Sequence, residues 1–153
     1  MSKLNGVRVI EIPRFKAISS ELDTPDKIFG EFKVDERLIK SVPPYDAPDL
    51  AWFEGEKACW IWVANDWVAE ADAAPHALID FAGGTYVVGV ADELDPKDCG
   101  DVYGHIVQWI EVSESFELAE RSVLFHRIGC GNVEKALGMA QQEIFVPVKL
   151  RRK

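Results

Sequence analysis

One carboxylate and one aromatic ring share a face of the last hydrophobic stretch of the chain, residues 142–150. The β-branched and aromatic residues of this stretch predict a strand, and the side chains of a strand alternate between two faces. One face carries Glu143 and Phe145. The other face is aliphatic and needs a core, and it consists of Ile144, Val146, Val148 and Leu150. A carboxylate beside an aromatic ring on such an anchored strand can line a binding cleft. The alternative is that Glu143 is a solvated surface residue.

Further aromatic residues lie in a predicted hairpin, whose two apolar runs flank residues 54–57. We take Phe53 to lie opposite Ala58 across this turn. Phe53, Trp60 and Trp62 then share one face, which we expect to line the cleft. The other face is then the core side, with Leu50, Trp52, Cys59, Ile61 and Val63. Aromatic walls around one acid suit an organic cation, because each ring adds about 0.5–2 kcal/mol of cation–π attraction.

Other chemistry has little support in the sequence. The three histidines, His76, His105 and His126, lack the spacing of metal ligands, so we expect no metal site and no cofactor. The glycines at 83 and 84 do not open a helix, and they therefore form no phosphate-binding fingerprint. No nucleophile-elbow sequence is present. The cysteines are widely spaced, which fits buried reduced thiols, and they are Cys59, Cys99 and Cys130.

Composition and charge exclude several classes of protein. The chain has 153 residues, 48% of them hydrophobic, which is typical of one globular domain with its own core. Its 17 Lys and Arg against 26 Asp and Glu give a net charge of −9, which argues against a nucleic-acid partner, because phosphate contacts need a basic surface. The absence of a membrane-spanning apolar run and of a signal peptide predicts a cytoplasmic protein with no membrane partner. A homodimer is compatible with the sequence, which leaves the oligomeric state open.

Two segments carry the sequence pattern of a helix start. At residues 24–26 and 95–97 a capping side chain precedes a proline, and an acid or a good helix former follows. The apolar spacing that follows each start predicts helices over 25–42 and 96–112. The first helix should stop at Pro43-Pro44.

The remaining segments predict strands. Residues 7–12 predict a first strand, and residues 78–90 predict a long one with a bend at its two glycines. Residues 122–126 predict a further strand, followed by a turn at 129–132. Pro147 has no N–H to give to a ladder, which favours a sheet edge for the last strand.

The two halves of the chain repeat the same order of elements. The two helix starts are offset by the same distance as Phe15 and Tyr86. A duplicated βαββ unit explains this, since each sheet would bury one face under its own helix. We therefore predict an α+β fold in a single domain, residues 1–153, with pseudo-repeats at about 7–72 and 75–150. Its two antiparallel sheets would leave a ligand groove between them.

Three motifs occur in this order: EIPRFKAI at 11–18, GGTY at 83–86 and EIFVPVK at 143–149. Together they resemble the GyrI-like effector-binding domain, which also forms the C-terminal part of AraC-type and MerR-type drug-responsive regulators. The resemblance covers about residues 7–150. Residues 124–127 depart from the acid–aromatic pattern usual in the family at that place, and the DNA-binding helices of the regulators are absent.

The resemblance implies two βαββ repeats that form a groove for bulky apolar, often cationic, small molecules. It also implies that Glu143 lies inside this groove. We expect a hydrophobic cation as the partner. With the residues discussed above, the candidate ligand-binding set is Glu143, Phe145, Trp60, Trp62, Phe53, Tyr86 and Phe125.

Three functions fit these residues. The leading hypothesis is a stand-alone binding module that senses or sequesters amphipathic cations. The second is a hydrolase of strained electrophilic toxins, such as cyclopropane-bearing compounds, with Glu143 as general base and Tyr86 as proton donor. The third is an acidic interaction protein, because the namesake of the family inhibits DNA gyrase. The sequence does not decide whether the protein is an enzyme.

Overall fold

The computed structural model describes residues 4, 6–40, 48–128 and 131–152. Over these ranges the chain forms nine strands, which pair mostly antiparallel, and four α-helices, and this confirms the predicted α+β class. The chain divides into two compact units. We call residues 13–83 the α1 unit, and the part before Pro13 together with the part from Gly84 onwards the α3 unit.

The elements follow one another along the chain with short connections. The strands are β1 (Arg8–Ile12), β2 (Phe15–Ser19), β3 (Asp49–Glu54), β4 (Lys57–Val63), β5 (Ala77–Phe81), β6 (Gly84–Asp92), β7 (Phe116–Leu118), β8 (Leu124–Arg127) and β9 (Gln141–Leu150). The helices are α1 (Pro25–Glu31), α2 (Glu70–Ala73), α3 (Pro96–Val112) and α4 (Gly131–Leu137), with one 3-10 helix at Glu36–Leu38.

The α1 unit is a four-stranded antiparallel sheet, in the order β3-β4-β2-β5, with its own helices. Side chains from β2 and from the helical segments form its core, which includes Ile18, Phe32, Ala64, Val68 and Ala73. The α1 helix packs on the same sheet face, where the ring of its Phe29 lies 5.8 Å from that of Trp60, measured between centroids. One face of the sheet is therefore covered by helix, as the predicted βαββ unit requires.

The first helix is shorter than the predicted 25–42. It ends at Glu31, because Phe32 turns to an extended conformation while its N–H still bonds to the Ile28 carbonyl at 3.1 Å. Asp35 then starts the separate 3-10 turn, where its side chain accepts a hydrogen bond from the Arg37 N–H at 3.0 Å. The predicted stop at Pro43-Pro44 lies outside the described residues. The second of the two predicted helices, 96–112, is observed as α3 with the same bounds.

The α3 unit is an antiparallel sheet in the order β1-β6-β9-β8, and β7 also pairs with β9. The helix α3 covers one face of it. Aliphatic side chains from the helix and the sheet form the core, including Ile106, Ile110, Val87, Ile144, Val146 and Val148. The predicted aliphatic face of β9 therefore lies in this core, except that Leu150 at its end is exposed.

The strand β9 lies inside its sheet, so the prediction of an edge strand is wrong. It pairs with β6 on one side, and on the other with β7 up to Val148 and with β8 from Phe145. Pro147 lies in the gap between β7 and β8, where its carbonyl accepts a hydrogen bond from the Ala119 N–H at 3.0 Å. The N and C=O of a residue point to the same side of a strand, so the missing N–H of Pro147 faces this gap. Pro147 therefore removes no hydrogen bond from the ladder between β9 and β6.

The first strand of each predicted repeat pairs outside that repeat. The strand β1 pairs with β6, and β5 pairs with β2. The compact units consequently divide after Ile12 and after Gly83, and they do not coincide with the predicted pseudo-repeats 7–72 and 75–150. Apart from these strands and the short β7, each unit keeps the expected order of strand, helix, strand, strand.

Two details of the α3 unit were not predicted. The strand β7 precedes β8, which itself begins two residues later than the predicted 122–126 strand. Of the predicted turn at 129–132, Gly129 and Cys130 lie outside the described residues, and Gly131 begins α4.

The two helix caps differ, and this difference is testable. The Asp95 carboxylate accepts hydrogen bonds from the N–H groups of Lys97 and Asp98 at 3.0 and 3.3 Å, whereas the Thr24 side chain makes no cap hydrogen bond. We expect Asp95→Ala to lower the free energy of unfolding by about 1 kcal/mol, because two helix N–H groups lose their acceptor. Urea unfolding would measure it, with Thr24→Ala as the matched control of little effect. Equal losses in the two variants would contradict this assignment.

Candidate functional site

Glu143 lies on the face of the α3-unit sheet that points away from α3. Its neighbour Ile144 belongs to the core under the helix, so Glu143 and Phe145 point to the opposite side. The strand register places several side chains on this same side. We call this surface the Glu143 face, and it includes Arg8, Tyr86, Val88, His126, Glu143 and Phe145.

The Glu143 carboxylate is paired with an arginine. Arg8 on β1 reaches across β6 and donates a hydrogen bond from Nη2 to Glu143 Oε2. The side chain of Glu143 is only 9% exposed, while that of Arg8 is 55% exposed. A carboxylate removed from water needs such a partner, because an unpaired buried charge is strongly unfavourable. The solvated-surface alternative for Glu143 is therefore excluded by its burial.

Tyr86 and Phe145 form the aromatic part of the Glu143 face. Their ring centroids are 6.3 Å apart in an edge-to-face arrangement, and both residues are buried. Arg121, in the connection between β7 and β8, lies with its Cζ 5.0 Å from the centroid of the Tyr86 ring. The same guanidinium donates from Nη2 to the Thr85 carbonyl at 2.8 Å. The ring thus carries a cation on its face in this structure.

Gly84 leaves the space that Arg121 occupies. A Cβ atom at position 84 would lie 2.6 Å from Arg121 Nη2. Gly84 also has a φ of 144°, which side-chain-bearing residues rarely adopt. The second glycine of the GGTY motif therefore allows the unusual backbone conformation at the start of β6. It also leaves room for the Arg121 guanidinium over Tyr86.

Phe125 points to the other side of the sheet. It pairs in register with Ile144 and packs against the core under α3. Its neighbour His126 lies opposite Glu143 on the Glu143 face. The departure of residues 124–127 from the family pattern thus places an imidazole, and not an acid, beside the carboxylate.

Trp60 and Trp62 lie on the helix-covered face of the α1 unit, and both pack partly buried against the core there. The other face, which we predicted to be the core side, is buried as well, at Leu50, Cys59 and Ile61. The Trp60 ring is 5.6 Å from Phe32 and 5.8 Å from Phe29, measured between centroids, and its Nε1–H donates to Asp49 Oδ2 at 2.9 Å. The alternation of the hairpin was correct, but both of its faces are apolar, and alternation alone does not tell which one a helix covers.

Phe53 shares this helix side and is half exposed. It is 49% exposed, and its ring lies 6.2 Å from Phe29 of α1. The opposite face of the α1-unit sheet carries a different aromatic set. Trp52 and Phe15 flank Phe81 there, at 6.1 and 5.0 Å between ring centroids. None of these three residues was among the predicted site residues.

A cavity of about 570 Å³ opens within the α1 unit. Its wall includes Trp67, which is 60% exposed, and the charged residues Lys33, Asp35 and Arg37. Asp35 is ion-paired with Arg37 at 2.6 Å, and hydrogen bonds from this arginine lower the pKa of the Asp35 carboxyl to about 2. Asp35 is thus already paired with its neighbour, and the other acid of the wall, Asp72, accepts a hydrogen bond from the Ala69 N–H, so we assign the cavity no function.

The described thiols are not activated nucleophiles. Burial raises the pKa of Cys59, whose Sγ lies 3.3 Å from Ser19 Oγ. Burial, together with neighbouring carboxylates such as that of Asp98, raises the pKa of Cys99. A raised pKa keeps a thiol protonated at neutral pH, whereas the thiolate is the reactive form.

Two further features are absent from the described part of the chain. It holds no group of three or more His, Cys, Asp or Glu side chains arranged to bind a metal ion. None of its helices combines the length and apolar composition needed to cross a lipid bilayer.

The fold is shared with solved structures, although no protein-family model and no curated protein sequence matches the chain. SAV2435 bound to tetraphenylphosphonium is 15% identical with a TM-score of 0.57, over 94% of this chain and 93% of that one. The EcmrR C-terminal domain is 15% identical with a TM-score of 0.63, over 94% and 96%. A hydrolase from Listeria innocua is 12% identical with a TM-score of 0.63, over 94% and 91%. At these identities the likeness shows the fold alone, and it is consistent with a GyrI-like fold.

The packing of Trp60 gives a second prediction. Trp60→Ala should lower the free energy of unfolding by about 3 kcal/mol, because the ring fills space against Phe29 and Phe32. Trp67→Ala is the control, and its largely exposed ring should change stability by about 0.5 kcal/mol or less. Urea unfolding of both variants would measure the difference. Similar losses for the two tryptophans would contradict the packing described for Trp60.

Proposed function

We propose that the protein is a binding module for bulky apolar cations, and that the Glu143 face is its ligand site. The observation that carries the proposal is the buried Glu143 carboxylate on the same sheet face as the rings of Tyr86 and Phe145. A carboxylate supplies charge selectivity, and aromatic rings supply apolar area and cation–π attraction. This combination favours a cation with a large hydrophobic body over a small hydrated one.

The occupancy of the site by arginines supports a cationic ligand. Arg8 pairs with Glu143, and Arg121 lies over Tyr86, so both features hold a positive charge in this structure. A guanidinium is planar, delocalised and weakly hydrated compared with an ammonium group. A ligand with a delocalised or sterically shielded charge resembles it in these respects.

The shared fold gives the proposal a second support. One structure with this fold is that of SAV2435 bound to tetraphenylphosphonium, which is itself a bulky apolar cation, and another is the EcmrR C-terminal domain. With the motifs EIPRFKAI, GGTY and EIFVPVK, this likeness leads us to propose that the chain is a GyrI-like domain. Its biological role would then be to sense or sequester such cations.

Hydrolysis is the second candidate, and one contact bears on it. Glu143 would have to accept a proton from water, but Arg8 engages one of its oxygens. A hydrolase would have to activate water at the other oxygen of Glu143. The binding function needs the carboxylate only as a charge and requires no proton transfer, so it asks less of this residue.

The proposal predicts a charge-selective loss in Glu143→Gln. We expect the affinity for tetraphenylphosphonium to fall about tenfold or more, since a charge-assisted contact is worth about 1.5–3 kcal/mol. The variant also leaves the Arg8 guanidinium without its carboxylate partner, and this unpaired guanidinium repels a second cation. Isothermal titration calorimetry would measure the affinity, and triphenylphosphine oxide, a neutral relative, should lose little.

Glu134→Gln is the matched control for this experiment. Glu134 is ion-paired with Arg127 in the same unit, so its substitution changes the net charge equally without touching the Glu143 face. If the cation and the neutral compound weaken alike in Glu143→Gln, or if neither weakens, Glu143 is not the anchor. Turnover of an electrophilic substrate by the wild type, lost in Glu143→Gln, would favour the hydrolase instead.

A further inference from the structure

Two arginines of the α3 unit occupy the two features of the Glu143 face that would bind a cation. Arg8 Nη2 donates to Glu143 Oε2, and Arg121 Cζ lies 5.0 Å from the centroid of the Tyr86 ring. The carboxylate and the ring are thus each satisfied by a positive charge of the protein itself. A ligand cation can use neither feature while the arginine stays in place.

Both arginines can regain water when they leave, whereas the groups that they cover stay buried. The Arg8 side chain is 55% exposed and Arg121 is exposed, so each guanidinium regains water when it swings away. The Glu143 side chain is 9% exposed and Tyr86 is buried. Buried charge needs a partner, so the departure of Arg8 is favourable only when another cation replaces it.

We infer that Arg8 and Arg121 are displaceable internal cations, and that a bulky apolar cation binds by replacing Arg8 at Glu143 and Arg121 on Tyr86. This rests on the proposed function, and it adds the residues that control access to the same site. It also defines the ligand class more narrowly. A quaternary phosphonium or a xanthene dye gives up little hydration when it replaces a guanidinium, whereas a primary ammonium gives up much more.

An internal competitor lowers the apparent affinity in proportion to its occupancy. If Arg8 pairs with Glu143 for all but a tenth of the time, a cation binds about tenfold more weakly than it would to the open site. Removing Arg8 should therefore strengthen cation binding. A purely structural role for the pair predicts the opposite, since loss of a supporting contact would loosen the site.

The experiment measures tetraphenylphosphonium binding by isothermal titration calorimetry at low salt. We expect Arg8→Ala to bind this cation about tenfold more tightly than the wild type. Triphenylphosphine oxide, which does not need the carboxylate, should bind both proteins equally within about twofold. Arg37→Ala is the control, because Arg37 is an exposed arginine paired with Asp35 and its loss changes the net charge equally.

A double-mutant cycle tests whether Arg8 affects cation binding through Glu143. In the Glu143→Gln background, Arg8→Ala should change cation affinity by no more than about twofold, because the group for which Arg8 competes is gone. Arg8→Lys keeps the charge without the planar fork, and it should fall between wild type and Arg8→Ala. If Arg8→Ala fails to fold, Arg8→Lys carries the same comparison.

Arg121 is tested in the same way. Arg121→Gln uncovers the Tyr86 ring and should strengthen cation binding about threefold, as expected for loss of one partly exposed cation–π competitor. Weaker binding in this variant would overturn the Arg121 part of the inference, because Arg121 would then support the site.

The possible failures are distinguishable. If the wild type binds the cation and Glu143→Gln weakens it, but Arg8→Ala leaves the affinity unchanged or lowers it, the proposed function stands and Arg8 is not a competitor. If neither wild type nor Arg8→Ala binds tetraphenylphosphonium, the proposed function fails, and the inference fails with it.

Discussion

A carboxylate that has lost most of its water must hold either a cation or a proton, and Glu143 is in this position. The side chain of Glu143 is only 9% exposed. Its direction is fixed by the place of β9, which has strands on both sides and buries its aliphatic residues in the core under α3. Its charge must be compensated on the Glu143 face, and Arg8 provides a compensating positive charge. The Arg8–Glu143 pair is therefore central to the electrostatic character of that face, which also carries Arg121 over Tyr86.

The fold was predictable wherever local chemistry decides the structure. Helix α3 begins and ends where its cap and apolar spacing indicated, because the Asp95 carboxylate makes the expected hydrogen bonds. The prediction was wrong where tertiary contacts decide. Helix α1 stops at Glu31, although an apolar pattern continues beyond it. Pro147 is tolerated inside a sheet because β7 and β8 leave a gap beside it, and no local pattern reveals such a gap.

The candidate site was predictable in part, and the limit is physical. Alternation along β9 correctly separated Glu143 and Phe145 from the aliphatic core face. Alternation along the hairpin could not show that both of its faces are covered, so the packing of Trp60 under α1 was not foreseen. Arg8 was missed because 135 positions separate it from Glu143, and only the pairing of β1 with β6 and of β6 with β9 brings them together. The pairing of strands that are so far apart in the sequence cannot be predicted from any short stretch of it.

The gap beside Pro147 has a consequence for how such a protein can be remodelled. The strands β7 and β8 are both paired to β9, one on each side of Pro147, so the register of the sheet is held at both ends of the connection between them. This connection, residues 119–123, carries Arg121 to the Tyr86 ring. The Ala119 N–H bonds to Pro147 and Val123 packs on the core under α3, so residues 120–122 are the part of the connection that can change without moving the strands. These three residues offer protein engineers a place to alter the contact with the Tyr86 ring while the scaffold stays intact.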